Sequence, residues 1–244
     1  MKAMDFTHKV ALVTGGRSGI GSAIAQGMLQ RGAQVIITSR DKAPDWCKGY
    51  SLCRHVSVDF TKPNSLRSFF DYVQGLKRLD ILVNNAGFHI PETIDKIDPD
   101  HWQTIMNINV NVPMQLMQIA SRKMIVQHSG KILNVASIAA LISRSGSAAY
   151  SASKSALVGL TRAAALDLAS SGVLVNALCP GHTQMEMMDK VLSSAQQESL
   201  RALIPLGRFA KPDEIGSFAL FLCSDLNTYI SGQAVVVDGG VTIQ

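Results

Sequence analysis

Along the 244 residues, short runs of almost unbroken apolar character alternate with longer stretches whose apolar positions recur every three or four. The short runs are 9–14 (KVALVT), 34–39 (QVIITS), 53–59 (CRHVSVD), 80–87 (DILVNNAG), 131–137 (KILNVAS), 173–180 (VLVNALCP) and 233–240 (QAVVVDGG). A strand with one wet face alternates apolar and polar side chains. These runs do not, so they read as strands of a parallel sheet covered on both faces. Helices are predicted over 19–31, 64–77, 99–126, 149–170 and 212–223. This β-α-β alternation winds through right-handed crossovers into a doubly wound α/β domain of Rossmann type, with about seven parallel strands and helices on both faces.

No linker, repeat or low-complexity tract interrupts the pattern, so residues 1–244 read as a single dinucleotide-binding domain. One connection stands out. Between the second and third strands there is only RDKAPDWCKGYSL, with Pro44 inside it. That is too short for a crossover helix and its two turns, which predicts a turn or two of helix at most and an exposed sheet edge.

Composition changes this picture little. Apolar residues make up 47% and charged residues 17%, as in an ordinary globular enzyme. No run of about 18 uncharged apolar residues is present, which excludes a membrane helix. The opening MKAMDFTHKVALVTGG lacks the form of a signal peptide, so a cytoplasmic location is expected. Cys47, Cys53, Cys179 and Cys223 form no CxxC pair and show no metal-ligand spacing; reduced thiols, mostly in the core, and no metal are expected. The net charge of +5 comes from scattered basic residues, which argues against nucleic acid and suits an anionic cofactor or substrate.

The candidate chemistry begins at VTGGRSGIGSAIAQGM, directly after the first strand. Gly15, Gly19 and Gly21 permit a tight turn, and the helix that opens at Ser18, Gly19 and Ile20 offers free N–H groups to a pyrophosphate. A carboxylate ending the second strand would select NAD(H), whereas arginine accommodates the 2′-phosphate of NADP(H). Here the strand ends Ser39-Arg40, and Arg17 sits inside the glycine turn, so NADP(H) is expected over NAD(H). Tyr150 and Lys154, at i and i+4, share a helix face. A phenol with a pKa of about 10 is a poor base at neutral pH, and a neighbouring ammonium would lower it. Ser137 ends the fifth strand at the edge where ligands bind in open α/β sheets, and its hydroxyl could hold a substrate oxygen beside the phenol.

With TGGRSGIG (14–21), NNAG (84–87), Asn109 of NINVN, Ser137, YSASK (150–154) and PG (180–181) in order, the chain resembles the short-chain dehydrogenase/reductase family over its whole length. The resemblance implies a tetrad. Tyr150 would be the general acid/base, Lys154 would lower its pKa and bind the nicotinamide ribose, and Ser137 would orient the substrate. Asn109 would hold a water linking Lys154 to a proton relay. It also implies that Asp59 and Phe60 lie near the adenine, that Asn85, Ala86 and Gly87 pack beside the adenosine, and that Pro180, Gly181 and Thr183 flank the nicotinamide. Many relatives have Thr where this chain has Met185.

The family's substrate pocket falls on Phe88, His89, Leu141, Arg144, His182, Met185 and Met188. In style the chain is most similar to bacterial 3-oxoacyl-(acyl-carrier-protein) reductases, although Ser171 stands where those often carry a basic docking residue. The expected reaction interconverts a ketone and a secondary alcohol. A 3-oxoacyl thioester leads, with sugar, polyol or dihydrodiol dehydrogenation as the alternative; a regulatory dinucleotide-binding protein without turnover is the reading from another class. Relatives pair the helices at 99–126 and 149–170, so a homotetramer or homodimer is expected.

Overall fold

The computed structural model describes residues 4–184 and 193–244. Its strands are β1 (Val10–Val13), β2 (Gln34–Ser39), β3 (Cys53–Ser57), β4 (Ile81–Asn84), β5 (Gly130–Val135), β6 (Val173–Pro180) and β7 (Ala234–Val237). They form one sheet in the order β3-β2-β1-β4-β5-β6-β7, and every pairing is parallel. The helices are α1 (Gly19–Leu29), α2 (Pro63–Gln74), α3 (Pro99–Met106), α4 (Val112–Gln127), α5 (Ala148–Leu168), α6 (Ser194–Ala202) and α7 (Pro212–Cys223).

The unbroken apolar runs are explained by two cores. Ala11 and Val13 of β1 pack with Ile24, Met28, Ile215 and Ala219 on the α1/α7 side. Leu12, between them, packs with Phe69, Val73, Leu116 and Ala120 on the α2/α4 side. Successive strand residues face opposite layers, and both layers are dry. Strand order reverses between β1 and β4, which opens a crevice at the carboxyl ends of the central strands.

Two expectations needed correction. The helix predicted over 99–126 is broken: α3 and α4 are joined by a wider π-turn at Asn107–Asn111. The apolar period runs through this turn, so periodicity alone could not show the extra residue; π-turns of this sort cluster at functional sites. The cysteines are not all reduced thiols. Cys47 and Cys53 are joined in a disulfide with their Cα atoms 5.8 Å apart, while Cys179 and Cys223 are free and buried. A short 3₁₀ turn at Asp45–Gly49 folds the chain back and brings the two sulfurs together. That turn is all the helix the short connection holds, and β3 is the sheet edge, as expected.

Candidate active site

The glycine turn joins β1 to α1. At Gly19, φ is +57° and nothing lies within 4 Å of where a Cβ would be, so the backbone needs glycine and the space above is open. At Gly21 a Cβ would collide with the Asn85 side chain and the Gly15 carbonyl, so α1 seats directly against the NNAG segment. The first turn of α1 carries no acidic residue, and Ser18 makes no side-chain cap. Its N–H groups are left for an anion.

Thr14, buried at the end of β1, ties this turn to NNAG. Its Oγ1 accepts from the Asn85 and Ala86 N–H groups, both at 3.0 Å, and Asn85 Nδ2 donates to the Thr14 and Gly15 carbonyls at 2.9 and 3.1 Å. At the end of β2, Ser39 Oγ lies 2.8 Å from His55 Nε2. Arg17 donates to the Lys42 carbonyl at 2.6 Å and faces Asp41 at 3.9 Å. Trp46, next to the disulfide-bonded Cys47, donates to the Arg17 carbonyl at 3.1 Å, so the short connection after β2 braces the glycine turn. Arg40 is exposed beside Asp59, whose carboxyl is pulled below its ordinary value chiefly by hydrogen bonds from Thr61. The residues present therefore fit a phosphorylated dinucleotide: open amides for the pyrophosphate and two guanidiniums at the β2 end.

At the centre, α5 presents one stripe inward. Lys154, Leu157, Val158, Thr161, Ala165 and Leu168 recur at three- and four-residue spacing and are all buried. Tyr150 continues the stripe one turn earlier. The helix thus extends its core face into the crevice, and the small residues around it let it lie close to β6 and the turn after β5. Lys154 is 3% exposed, and its Nζ donates to the Val135 carbonyl at 2.8 Å. Ser137 caps a 3₁₀ turn (Ile138–Ala140), accepting from Ala139 N–H at 3.1 Å, and its hydroxyl stands beside the Tyr150 phenol and lowers its pKa.

The electrostatics differ from the expectation. Burial pushes the Tyr150 phenol above its ordinary value, while Ser137 and then the Arg144 charge pull it back. Lys154 takes no part in that balance: its Nζ lies 5.6 Å from the phenol ring centroid, and burial pushes its own pKa down to about 8.

Asn109 is fully buried within the π-turn. Its Oδ1 accepts from Phe88 N–H at 2.8 Å, and its Nδ2 donates to the Phe88 carbonyl and Ser153 Oγ, both at 2.9 Å. It thereby pins the 88–92 loop to α5. A Cβ on Gly87 would sit 3.4 Å from Lys154 Nζ and 3.7 Å from Asn109 Oδ1, so the bare glycine leaves room between these two polar groups. Along that loop the His89 ring packs on the Tyr150 ring, centroids 4.7 Å apart. His182 packs against Phe209, and Thr183 is bridged to Ala210 beyond β6. Gly181 lies against Asp238 after β7. Met185 and Met188 lie outside the described residues.

The family model described as enoyl-(acyl carrier protein) reductase matches residues 15–242. The chain belongs to the short-chain dehydrogenase/reductase family. It is 35% identical to a 3-oxoacyl-[acyl-carrier-protein] reductase of Aquifex aeolicus, covering 96% of this chain and 97% of that one. It is 34% identical to an NAD-dependent glycerol dehydrogenase of Listeria innocua, covering 100% and 97%. A crystal structure described as an NAD(P)-dependent gluconate 5-dehydrogenase from Beutenbergia cavernae, with NADP at low occupancy, superposes with a TM-score of 0.92. It is 32% identical over 98% of this chain and 99% of that one.

As a short-chain oxidoreductase, the protein gathers Tyr150, Lys154, Ser137 and Asn109 at one crevice, with the glycine turn, Asn85, Ala86 and Gly87 along its wall. Asp59 and Phe60 sit at the far end, where the Phe60 carbonyl accepts from Asn107 at 3.1 Å. Sequence reading missed Thr14, Ser153, His55 and Trp46. A threonine ending the strand before the glycine turn is the one signal that could have marked Thr14; the others depend on contacts between distant segments.

Proposed function

We propose that the protein is an NADP(H)-dependent oxidoreductase of ketones and secondary alcohols, built as a single domain, with Tyr150 as its general acid/base. The observation that carries this reading is the array of half-buried Tyr150 and Ser137 with buried Lys154 at the end of β5, reached from the same crevice as the Arg17/Arg40 pair. When bound, the nicotinamide supplies or takes the hydride. In reduction, Tyr150 gives its proton to the carbonyl oxygen, and Ser137 donates a hydrogen bond to that oxygen as negative charge grows on it. In oxidation the phenol oxygen takes the hydroxyl proton. Lys154 holds the ribose of the dinucleotide, and its ammonium, engaged there, favours the phenolate. Asn109 Oδ1 and Lys154 Nζ border the space over Gly87, which suits a water relaying protons between them.

NADP(H) is preferred in this reading because Ser39 and Arg40, not a carboxylate, end β2, and Asp41 just beyond them faces Arg17. Relatives named for NAD and for NADP both occur, so the preference rests on Arg17 and Arg40 themselves. A cytoplasmic location belongs to the same proposal, as does a homotetramer or homodimer built on α4 and α5. Val126 and Leu166, on those helices, are 79% and 81% exposed and would be covered in the assembly. Sedimentation as a monomer would remove that part.

The test is NADPH oxidation across acetoacetyl thioesters, keto-sugars, hydroxyketones and cyclic diketones, with NADH in parallel and Tyr150→Phe as control. Replacing a general acid costs about 10²–10⁴-fold in rate. A Tyr150→Phe enzyme as fast as the parent would refute Tyr150 as the acid/base, and a parent that binds NADPH but turns over none of these ketones would select the non-catalytic dinucleotide-binding reading instead.

A further inference from the structure

His89 is built into the crevice in a way the tetrad does not use. Its Nε2 is buried with no hydrogen-bond partner among the described residues. The Gly146 carbonyl, which accepts from Glu92 N–H at 3.1 Å, raises the ring's pKa as a hydrogen-bond acceptor does, and with Nε2 unpartnered the donor's role falls by elimination to Nδ1. That bond fixes the tautomer: with Nδ1 carrying the proton, Nε2 offers a lone pair and wants a donor. Burial and the positive charge of Arg144 both disfavour a second proton on the ring. Asn109 holds the backbone just before it, at Phe88, on both its N–H and its carbonyl, so the ring is not free to swing away. A buried, unpaired acceptor costs free energy unless a ligand meets it.

We propose that His89 Nε2 accepts a hydrogen bond from a hydroxyl on the carbon next to the reacting one, so that the substrate class is an α-hydroxy ketone and its vicinal diol. The imidazole packs on the phenol ring at a tilt of 41°, centroids 4.7 Å apart, so the two groups stand together at the crevice and can address two oxygens on neighbouring carbons. A 3-oxoacyl thioester fits worse. Its second oxygen is a carbonyl two carbons away, and a carbonyl offers no donor to an acceptor. This inference rests on the oxidoreductase reading above and narrows it to a substrate class.

The test compares kcat/KM for 2-hydroxycyclohexanone and cyclohexanone, with acetoacetyl thioester alongside, in the parent, His89→Phe and His89→Gln proteins. The ratio within each protein cancels general damage from the substitution. One neutral hydrogen bond is worth about tenfold. The parent is expected to prefer the hydroxyketone by about tenfold or more, His89→Phe to bring the ratio close to one, and His89→Gln, which keeps an acceptor, to restore part of it. A parent ratio near one, an unchanged ratio in His89→Phe, or faster turnover of the thioester than of the hydroxyketone overturns the proposal. Failure to consume NADPH with every ketone would instead defeat the oxidoreductase reading. In that event saturation-transfer NMR of 1,2-cyclohexanediol against cyclohexanol on the protein with NADP⁺ still decides the contact, by whether the diol binds better and loses that advantage in His89→Phe.

Discussion

The floor and the rim of the crevice are built on opposite electrostatic terms. At the floor, Lys154 is 3% exposed, Asn109 and Ser153 are fully buried, and each is hydrogen-bonded to backbone or to a neighbour. At the rim, Arg17, Arg40 and Asp41 stand largely in water beside a short loop and an edge strand. Burial at the floor moves Lys154 down and Tyr150 up, whereas solvent at the rim leaves charges free to meet an incoming anion. The floor spends stability to hold reactive groups in place. The rim holds selectivity that a single surface substitution can remove.

The largest effect should come from the floor. Ser137→Ala removes the hydroxyl that would meet the developing oxyanion, a loss of about 10²–10³-fold in kcat with KM little changed. The same hydroxyl pulls the Tyr150 phenol down, so its removal leaves only the Arg144 charge to oppose burial. The pH–rate profile for alcohol oxidation, which needs phenolate, is therefore expected to shift to higher pH. A normal kcat, or a profile moved to lower pH, would contradict this arrangement of Ser137 and Tyr150.

Next is the rim. Arg40→Ala and Arg17→Ala each remove a charge-assisted contact worth about 1.5–3 kcal/mol, or roughly 10–150-fold. That loss should fall on KM for NADPH and leave KM for NADH almost untouched. Because these side chains are exposed, added salt should weaken the parent's NADPH affinity as well. Equal losses with both cofactors would mean that the arginines hold the turn together rather than reading the 2′-phosphate.

A third prediction turns the floor against itself. Lysine ordinarily titrates near 10.4, and in the folded protein Lys154 sits at about 8. Its depressed folded value means that below about pH 8 the ammonium is charged in both folded and unfolded chains, and the folded state carries the full penalty. The penalty fades as pH rises towards the unfolded value and is gone above it. It is on the order of 3 kcal/mol, less about 1 kcal/mol for the hydrogen bond to Val135. Lys154→Met should thus abolish turnover yet stabilise the dinucleotide-free protein by about 2 kcal/mol at pH 7. Denaturant unfolding at pH 7 and pH 10 checks it: a gain that grows at the higher pH has the wrong sign for this mechanism.

Much of this contrast was legible in the sequence, and the residues show why. The seven strands, their parallel arrangement and the edge after the short connection follow from uninterrupted apolar runs, which only a doubly covered sheet can use. Tyr150 and Lys154 follow from i,i+4 spacing on α5. The break at Asn107–Asn111 did not, because a π-turn inserts one residue without disturbing the apolar period on either side. The balance at Tyr150, in which burial and Ser137 outweigh Lys154, was not legible either. Spacing places two side chains on one face but does not tell how deeply each is buried, and depth decides which charge survives to act. The Cys47–Cys53 pairing was invisible for a similar reason. Six residues of separation become a bridge only when a turn such as that at Asp45–Gly49 brings the Cα atoms within reach.

That bridge carries the smallest expected effect and the one that joins the two regions. It fixes the end of the short connection directly after Trp46, which donates to the Arg17 carbonyl, and a few residues after Lys42, whose carbonyl receives the Arg17 guanidinium. Cys47 is buried in the core cluster on the α1 side, with Trp46, Tyr50 and Cys53 against it, so the loop stays packed when the bond is cut. The bridge constrains only a short segment of the unfolded chain, which limits its contribution to about 2 kcal/mol. Cys47→Ser/Cys53→Ser, or reduction by dithiothreitol, is therefore expected to lower stability by about that much and to raise KM for NADPH a few-fold through looser placement of Arg17. It should leave kcat alone, because the bridge lies at the rim, far from Tyr150 and Ser137. A fall in kcat with KM unchanged would mean that the rim and the floor are mechanically one unit, and the contrast between them would have to be redrawn.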